Sequence, residues 1–395
     1  MKTQAEILEA SNQHLMSNYG PPLRAMVRGA GARVWDADGK EYLDFFAGFG
    51  AGGVAGHCHP SVVAAIKDQA DKLLSHGNFF TNEPQVELAA AIKRHAFGGK
   101  VFFCHSGAEA NEAALKLARL ASGPGRYKII SFNNCFHGRT MGGLSLTPKA
   151  KQEGFEPMLP GNVKVDYGDL AGVEAVIDPE TAGVFVEPIQ GEGGVNIPTV
   201  AFMQGLRKLC TDKDLVLVCD EVWTAPARTG KWFAYQHYGI EPDVMTLAKA
   251  LGGGTPVAAC VASPKYADTL GPGKHGCTMG GNPLCAAAGL ASMKLIEEQK
   301  LNERATKLGE RAMAMISDAK VPCVKAVRGK GLMIGIELDI PNKGPWMTSM
   351  EHGLLVCVAG SNIIRLAPPL VIEDELLEKG VQIFIDVLRG AAVGR

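Results

Sequence analysis

Asp243–Gly254, D-V-M-T-L-A-K-A-L-G-G-G, runs from an apolar stretch, Val244 to Ala248, straight into Lys249 and then into three glycines. A buried strand should end in a turn, not in an ammonium group. Burial strips water from the charged form of a lysine and lowers its pKa. The neutral amine is the nucleophile that attacks an aldehyde, so Lys249 is a candidate imine-former. A solvated lysine at a strand end is the plainer alternative. Upstream stands a second stretch, Leu215 to Glu221, L-V-L-V-C-D-E, whose apolar run ends on Asp220. Continuous apolar runs of this length suit parallel strands buried on both faces. Active sites of open α/β sheets lie at the carboxyl ends of such strands. Asp220 and Lys249 are therefore expected to end separate strands and to face one crevice.

A buried carboxylate without a partner is costly, so Asp220 needs a cation beside it. A protonated pyridine nitrogen is one such cation. A lysine for the imine and an aspartate for the pyridinium are the two groups that pyridoxal phosphate chemistry asks of a protein.

Working outward, strand-like runs alternate with helical ones from about residue 60 to 285. They fall at 100–104, 127–132, 163–167, 182–186, 215–219, 244–248 and 257–263, with helices near 60–74, 84–95 and 199–213. This order indicates an α/β layer with a mostly parallel sheet. Ala110, Ala113, Ala114, Leu117, Ala118 and Ala121 recur at helical spacing, a stripe small enough to lie close on a sheet. Ser106-Gly107 stands where strand turns into that helix, and such a helix start can seat a phosphate. An ordinary N-cap serine is the plainer reading. Glu187 and Glu192 lie in a Gly/Pro-rich loop at the same expected rim. Phe136 and Arg139 flank a glycine turn, suited to stacking on a flat ring and to gripping a carboxylate. Before this layer, Val34–Leu43 reads as a hairpin turning at Asp38-Gly39. After it come a long helical region from Asn282 to about Ala319, strands at 332–338 and 363–366, and a closing helix near 373–388. These indicate a smaller α+β domain.

Composition narrows the function classes. The 395 residues carry a formal net charge of −1 and 46% hydrophobic residues, enough for two domains with real cores. There is no long basic or acidic run, which argues against nucleic-acid or membrane-surface binding. The 10 cysteines stand singly, with no C-x-x-C pair, so neither a zinc knuckle nor a disulfide framework is indicated. His57 and His59 share a face of an extended chain but have no third ligand nearby. The start of the chain has no apolar signal core, and a reducing, soluble compartment is expected, most simply the cytoplasm.

In combination, seven motifs resemble the class III, pyridoxal-phosphate-dependent aminotransferases, closest to the acetylornithine and ornithine branch. They are G-H-C-H-P, S-G-A-E-A-N-E-A-A-L-K-L-A-R, F-H-G-R-T, V-E-P-I-Q-G-E-G-G, D-E-V, A-K-A-L-G-G-G and G-G-N-P-L. The resemblance spans nearly the whole chain. It implies an aspartate-aminotransferase-like α/β fold. A large domain, 56–285, would hold a mostly parallel seven-stranded sheet between helices. Residues 1–55 would pack with a small α+β domain, 286–395.

It also implies roles. Lys249 would hold pyridoxal 5'-phosphate as an imine and then shuttle the proton, and Asp220 would pair with the pyridinium. Phe136 and Val222 would sandwich the ring, with His137 also at the cofactor. Ser106, Gly107 and Ala108 would bind its phosphate, and Thr278 would reach the phosphate of a neighbouring subunit in a homodimer. Arg139 and Arg365 would take substrate carboxylates, with Glu192 pairing Arg365 until a dicarboxylate displaces it. The implied reaction moves the terminal amine of an N-acylated diamino acid, of the N2-acetylornithine type, to 2-oxoglutarate, giving a semialdehyde and glutamate. Ornithine, 4-aminobutyrate and other ω-amino acids remain alternative donors. An aminomutase or a decarboxylating transaminase is a more distant reading, and a phosphate-binding protein without catalysis is the non-enzymatic one.

Two stretches depart from the family pattern. Trp223 stands where the family has a glutamine that touches the cofactor's 3' oxygen. Its indole N–H can donate one hydrogen bond and accept none. Phe49–Val54 is unusually small, which would widen the pocket.

Overall fold

Thr181–Val186, Val216–Asp220 and Val244–Leu247 are buried at every position, the signature of strands covered on both sides. In the computed structural model, which describes residues 2–48, 50 and 53–393, they lie side by side in parallel. They form the centre of a seven-stranded sheet. Its order is Lys100–Cys104, Ala258–Ala262, Val244–Leu247, Val216–Asp220, Thr181–Val186, Lys128–Phe132, Asn162–Val165. Only Ala258–Ala262 runs against the rest.

The period of two sorts the side chains of each strand onto opposite faces. Val216, Val218 and Val244 enter one core with Ala113, Ala114, Leu117 and Ala118 of the helix Gly107–Ser122. Leu217, Cys219, Met245 and Leu247 enter the other, with Phe202, Met203 and Leu206 of the helix Val200–Asp212. The predicted stripe of small residues is the face that lets the first helix lie across several strands.

A separate antiparallel sheet has the order Val324–Lys330, Met333–Leu338, Ile363–Leu366, Cys357–Ala359. It shares a core with the helices Leu301–Asp318 and Asp374–Val393. The predicted hairpin forms between Arg33–Asp36 and Glu41–Asp44, with Gly39 at φ 87° in its turn. Leu354–Leu355 joins Glu41–Asp44 in parallel. Arg228, fully buried, ties these parts to the sheet. Its guanidinium donates to the carbonyls of Gly53, Leu332 and Pro368, and burial pulls its pKa down to about 9.

Three elements differ from expectation. The long helical region from 282 to 319 is two helices, Pro283–Gln299 and Leu301–Asp318, parted by the left-handed Lys300. Residues 297–300 are a polar run of a length that also fits one solvated helical turn, so the sequence alone does not reveal the break. The helix expected to reach 74 ends at Ala70, and the closing helix runs on to Val393. His57 lies 2.7 Å from the Asp44 carboxylate, and His59 caps the helix that Pro60 opens. Among the described residues no helix is long and apolar enough to cross a membrane.

Candidate active site

The strands Lys100–Cys104, Lys128–Phe132, Thr181–Val186, Val216–Asp220 and Val244–Leu247 all end at one edge, and the segments that follow them surround a cavity of about 600 Å³. Ser106, Gly107, Ala108, Phe136, His137, Arg139, Glu192, Asp220, Val222, Trp223 and Lys249 all border it. Arg365 lies behind this wall against Trp223 and Glu192, and Thr278 lies outside the lining. Phe49, Ala51 and Gly52, in the small stretch expected to widen the pocket, fall outside the described residues.

Lys249 follows its buried strand in a left-handed conformation, φ 47°, unusual for a residue with a Cβ. Its Nζ lies 5.6 Å from the centre of the Trp223 ring. Burial lowers its pKa, and nearby Asp220 and Glu192 only partly restore it. Such an amine loses its proton more readily than a solvated lysine does.

Asp220 is buried and held on both oxygens. Val222 N donates to Oδ1 at 3.0 Å, Asn111 Nδ2 donates to Oδ2 at 2.8 Å, and His137 Nδ1 lies 2.8 Å from the same oxygen. Burial opposes protonation of His137, but Cys135 and the Asp220 carboxylate outweigh it and push the pKa up to about 10. His137 thus gives the carboxylate a partner from within the chain, where sequence reasoning expected one only from a ligand.

Ser106 caps the helix Gly107–Ser122, accepting from Glu109 N while Glu109 reaches back to Ser106 N. The cap leaves the first-turn N–H groups of Gly107 and Ala108 without an intrahelical acceptor. A Cβ at Gly107 would lie 2.8 Å from Val222, and one at Gly138 would lie 2.9 Å from Ala108. Glycine at both positions lets the walls close around the helix start.

Two arginines sit in opposite electrostatic states. Arg365 is fully buried. Its Nη1 donates to Glu192 Oε1 at 2.8 Å and to Gly191 O, and its Nη2 donates to Val358 O. Its guanidinium carbon lies 4.7 Å from the Trp223 ring centre. Arg139, exposed at the rim, makes no hydrogen bond or ion pair among the described residues and lies 5.5 Å from the Phe136 ring centre. Trp223 Nε1 is buried with no hydrogen-bond partner among the described residues.

Sequence reasoning missed Asn111 and left Glu187 without a role. Asn111 Nδ2 also donates to His137 O, and its Oδ1 accepts from Thr246 Oγ1. It shares a helix face with Ala114 and Ala118, so a polar residue inside an apolar stripe was the available signal. The Glu187 carboxylate accepts from Gly191 N and Phe136 N, and burial raises its pKa to about 7.

These observations meet the comparisons with known proteins. Residues 15–388 match the family model "Aminotransferase class-III". The acetylornithine aminotransferase of Caldanaerobacter subterraneus subsp. tengcongensis is 44% identical over 384 residues, 95% of this chain and 97% of that protein. The acetylornithine aminotransferase of Elizabethkingia anophelis superposes with a TM-score of 0.87 at 36% identity, covering 98% of this chain and 99% of that one. An ornithine aminotransferase structure from Toxoplasma gondii has a TM-score of 0.93 at 35% identity, over 99% of this chain and 95% of that one. It is described as having partial occupancy of PLP, pyridoxal phosphate, at the active site. The match in sequence runs through every segment that borders the cavity, and the match in fold covers nearly the whole chain. The chain belongs to the class III aminotransferases and is a transaminase.

Proposed function

We propose that the protein moves the terminal amine of an N-acylated diamino acid, of the N2-acetylornithine type, to 2-oxoglutarate, yielding a semialdehyde and glutamate. The cofactor of this reading is pyridoxal 5'-phosphate, and the cavity offers groups that fit its parts. The capped helix start, with free N–H groups at Gly107 and Ala108 beside Ser106, suits a phosphate dianion. Asp220 suits a cationic ring nitrogen, Lys249 suits an aldehyde, and Phe136 and Val222 offer flat and apolar walls. When bound, the cofactor supplies an electron sink that stabilises negative charge at the carbon bearing the amine.

The chain's own groups do the rest. Asn111, His137 and the Val222 N–H hold the Asp220 carboxylate in place, so it meets a positive ring without having to reorganise. The lowered pKa of Lys249 lets Nζ take up a proton and return it within one cycle. Arg139 is open at the rim and would take the α-carboxylate of the amino donor. Arg365 would take the second carboxylate of 2-oxoglutarate once Glu192 swings away, with the Trp223 ring keeping the guanidinium oriented.

The observation that carries this reading is the pairing state of the arginines. One cation is open and one is masked by a carboxylate that is itself only partly buried. A site with one open and one gated anion seat suits a donor with one carboxylate and an acceptor with two. The names of the relatives support the same substrate. We also place the reaction in the cytoplasm, on cysteines that stand singly along the sequence with no C-x-x-C pair, and the working unit as a homodimer.

The test is a donor panel with 2-oxoglutarate. N2-acetylornithine should give the highest kcat/KM, at least tenfold above ornithine and 4-aminobutyrate. Equal or faster turnover of free ornithine would move the assignment to the ornithine branch.

A further inference from the structure

Beside the cavity, three metal-ligating side chains meet at one point that the transamination reading does not use. Glu109 divides its carboxylate between two tasks. Oε2 serves the helix cap, accepting from Ser106 N at 2.8 Å, Ser106 Oγ at 2.9 Å and His105 N at 3.2 Å. Oε1 is left facing His105 Nδ1 at 3.3 Å and Cys277 Sγ at 3.8 Å. Sγ lies 3.2 Å from the same Nδ1. The three atoms close a triangle.

That triangle has the size of one face of a zinc tetrahedron. Ligand bonds of about 2.0–2.3 Å at tetrahedral angles give edges of about 3.3–3.6 Å. The observed edges scatter about that range. The mixture of thiolate, imidazole and carboxylate selects borderline cations over magnesium or calcium, which prefer oxygen alone. The carboxylate is also held from behind by the cap, as metal ligands commonly are.

A hydrogen-bonded nucleophile relay is the competing explanation for the same residues, and the geometry disfavours it. A relay needs the thiol and the carboxylate on opposite ring nitrogens. Here both approach Nδ1, while Sγ is 3.9 Å from Nε2. One Nδ1 proton cannot serve two partners at full strength, whereas a cation could draw on all three donors once the His105 ring turns its Nδ1 lone pair toward it.

We propose that His105, Glu109 and Cys277 form a three-ligand site for a divalent cation of the zinc class, with its fourth position open to water. Ligation would tie the turn carrying Cys277 to the first turn of the helix Gly107–Ser122. The site adjoins the proposed phosphate seat, with His105 in the cavity wall, but the transamination reading stands whether or not the metal binds.

The test titrates Co²⁺ into the purified holoenzyme and reads its d–d absorption in the visible red, with bound metal counted after dialysis. One cobalt per chain is expected, with the intensity of tetrahedral coordination, and Zn²⁺ should displace it. Cys277→Ser and His105→Gln should each weaken uptake at least tenfold, and melting curves confirm that each variant is folded. Cys58→Ser, which alters an exposed thiol elsewhere, should leave uptake unchanged. Metal should also raise the melting temperature of the parent protein and of Cys58→Ser, but not of the other two variants. Absence of cobalt uptake by the parent, or uptake that survives both Cys277→Ser and His105→Gln, overturns the site. If one of those two variants does not fold, the other decides.

Discussion

Glu187 is a buried carboxyl beside a cation and another carboxylate, and its titration should be visible in the stability of the whole chain. Burial raises its pKa from the ordinary 4.5 to about 7. A raised acid pKa means that the folded state favours the protonated form. Its contribution is therefore intact below about pH 4.5 and is lost as pH rises through 7, to the extent of about 3 kcal/mol. Glu187→Gln removes the titration and one acceptor, and the acceptor loss does not vary with pH. The melting temperature of the variant relative to the parent should climb between pH 5 and pH 8. A difference that stays flat over this range would mean that the carboxyl is already ionised at pH 5. Trp223 permits a second prediction. Its ring backs Arg365, an arrangement worth about 0.5–2 kcal/mol. Trp223→Phe keeps the ring and should hold KM for 2-oxoglutarate within about 1.5-fold, whereas Trp223→Ala should raise it about two- to thirtyfold. Equal KM values in the two variants would remove the ring from acceptor binding. Lys249 and Asp220 were legible in the amino-acid sequence, because each interrupts an apolar run with a charge. His137 as the partner of Asp220 was not, because the residues that meet it come from different strands and no local pattern records their approach.

Elements position these residues, and the helix Gly107–Ser122 does so most directly. Its start presents the free N–H groups, its stripe of small residues fixes its height above the sheet, and Asn111 reaches from it to Asp220. The stripe was readable from spacing alone. The cap was readable only as a choice between phosphate seat and ordinary N-cap, and the hydrogen bonds show that Ser106 is an N-cap in any case. The two roles are compatible, since the cap serves the N–H of Glu109 and leaves those of Gly107 and Ala108 open. Ser106→Ala should therefore lower unfolding stability by about 1 kcal/mol, and Ser106→Gly by only a few tenths. Both should weaken retention of pyridoxal phosphate, which follows from loss of the hydroxyl and not from the helix. If the alanine variant keeps the cofactor as tightly as the parent, the phosphate assignment of Ser106 fails while the cap stands. The division at Lys300 marks where reading by element stops, because an ordinary lysine side chain gives no sign that its backbone is left-handed.

At the scale of the whole molecule, the exposed apolar surface is unevenly placed. Phe79 is 101% exposed and Phe80 74%. Burying one such ring is worth about 1.5–3 kcal/mol, so leaving two adjacent ones in water is a cost that a partner surface would relieve. Asn78, next to them, donates to the carbonyls of Cys277 and Gly280 at 2.8 and 3.1 Å. This fastens the aromatic pair to the turn that carries Thr278. A second copy of the chain covering Phe79 and Phe80 would thus also cover that turn, and Thr278 lies outside its own cavity lining. The arrangement supports a dimer in which each turn completes the neighbour's phosphate seat. Two properties should then fail together. Replacing both residues, Phe79→Asp with Phe80→Asp, should shift sedimentation from dimer to monomer at micromolar chain concentration and weaken pyridoxal phosphate binding at least tenfold. Thr278→Ala should weaken cofactor binding without dissociating the dimer, because it removes the contact and keeps the apolar surface. A monomeric parent protein, or a dissociated variant that binds the cofactor as tightly as the parent, would separate the aromatic patch from the site and leave each cavity complete within one chain.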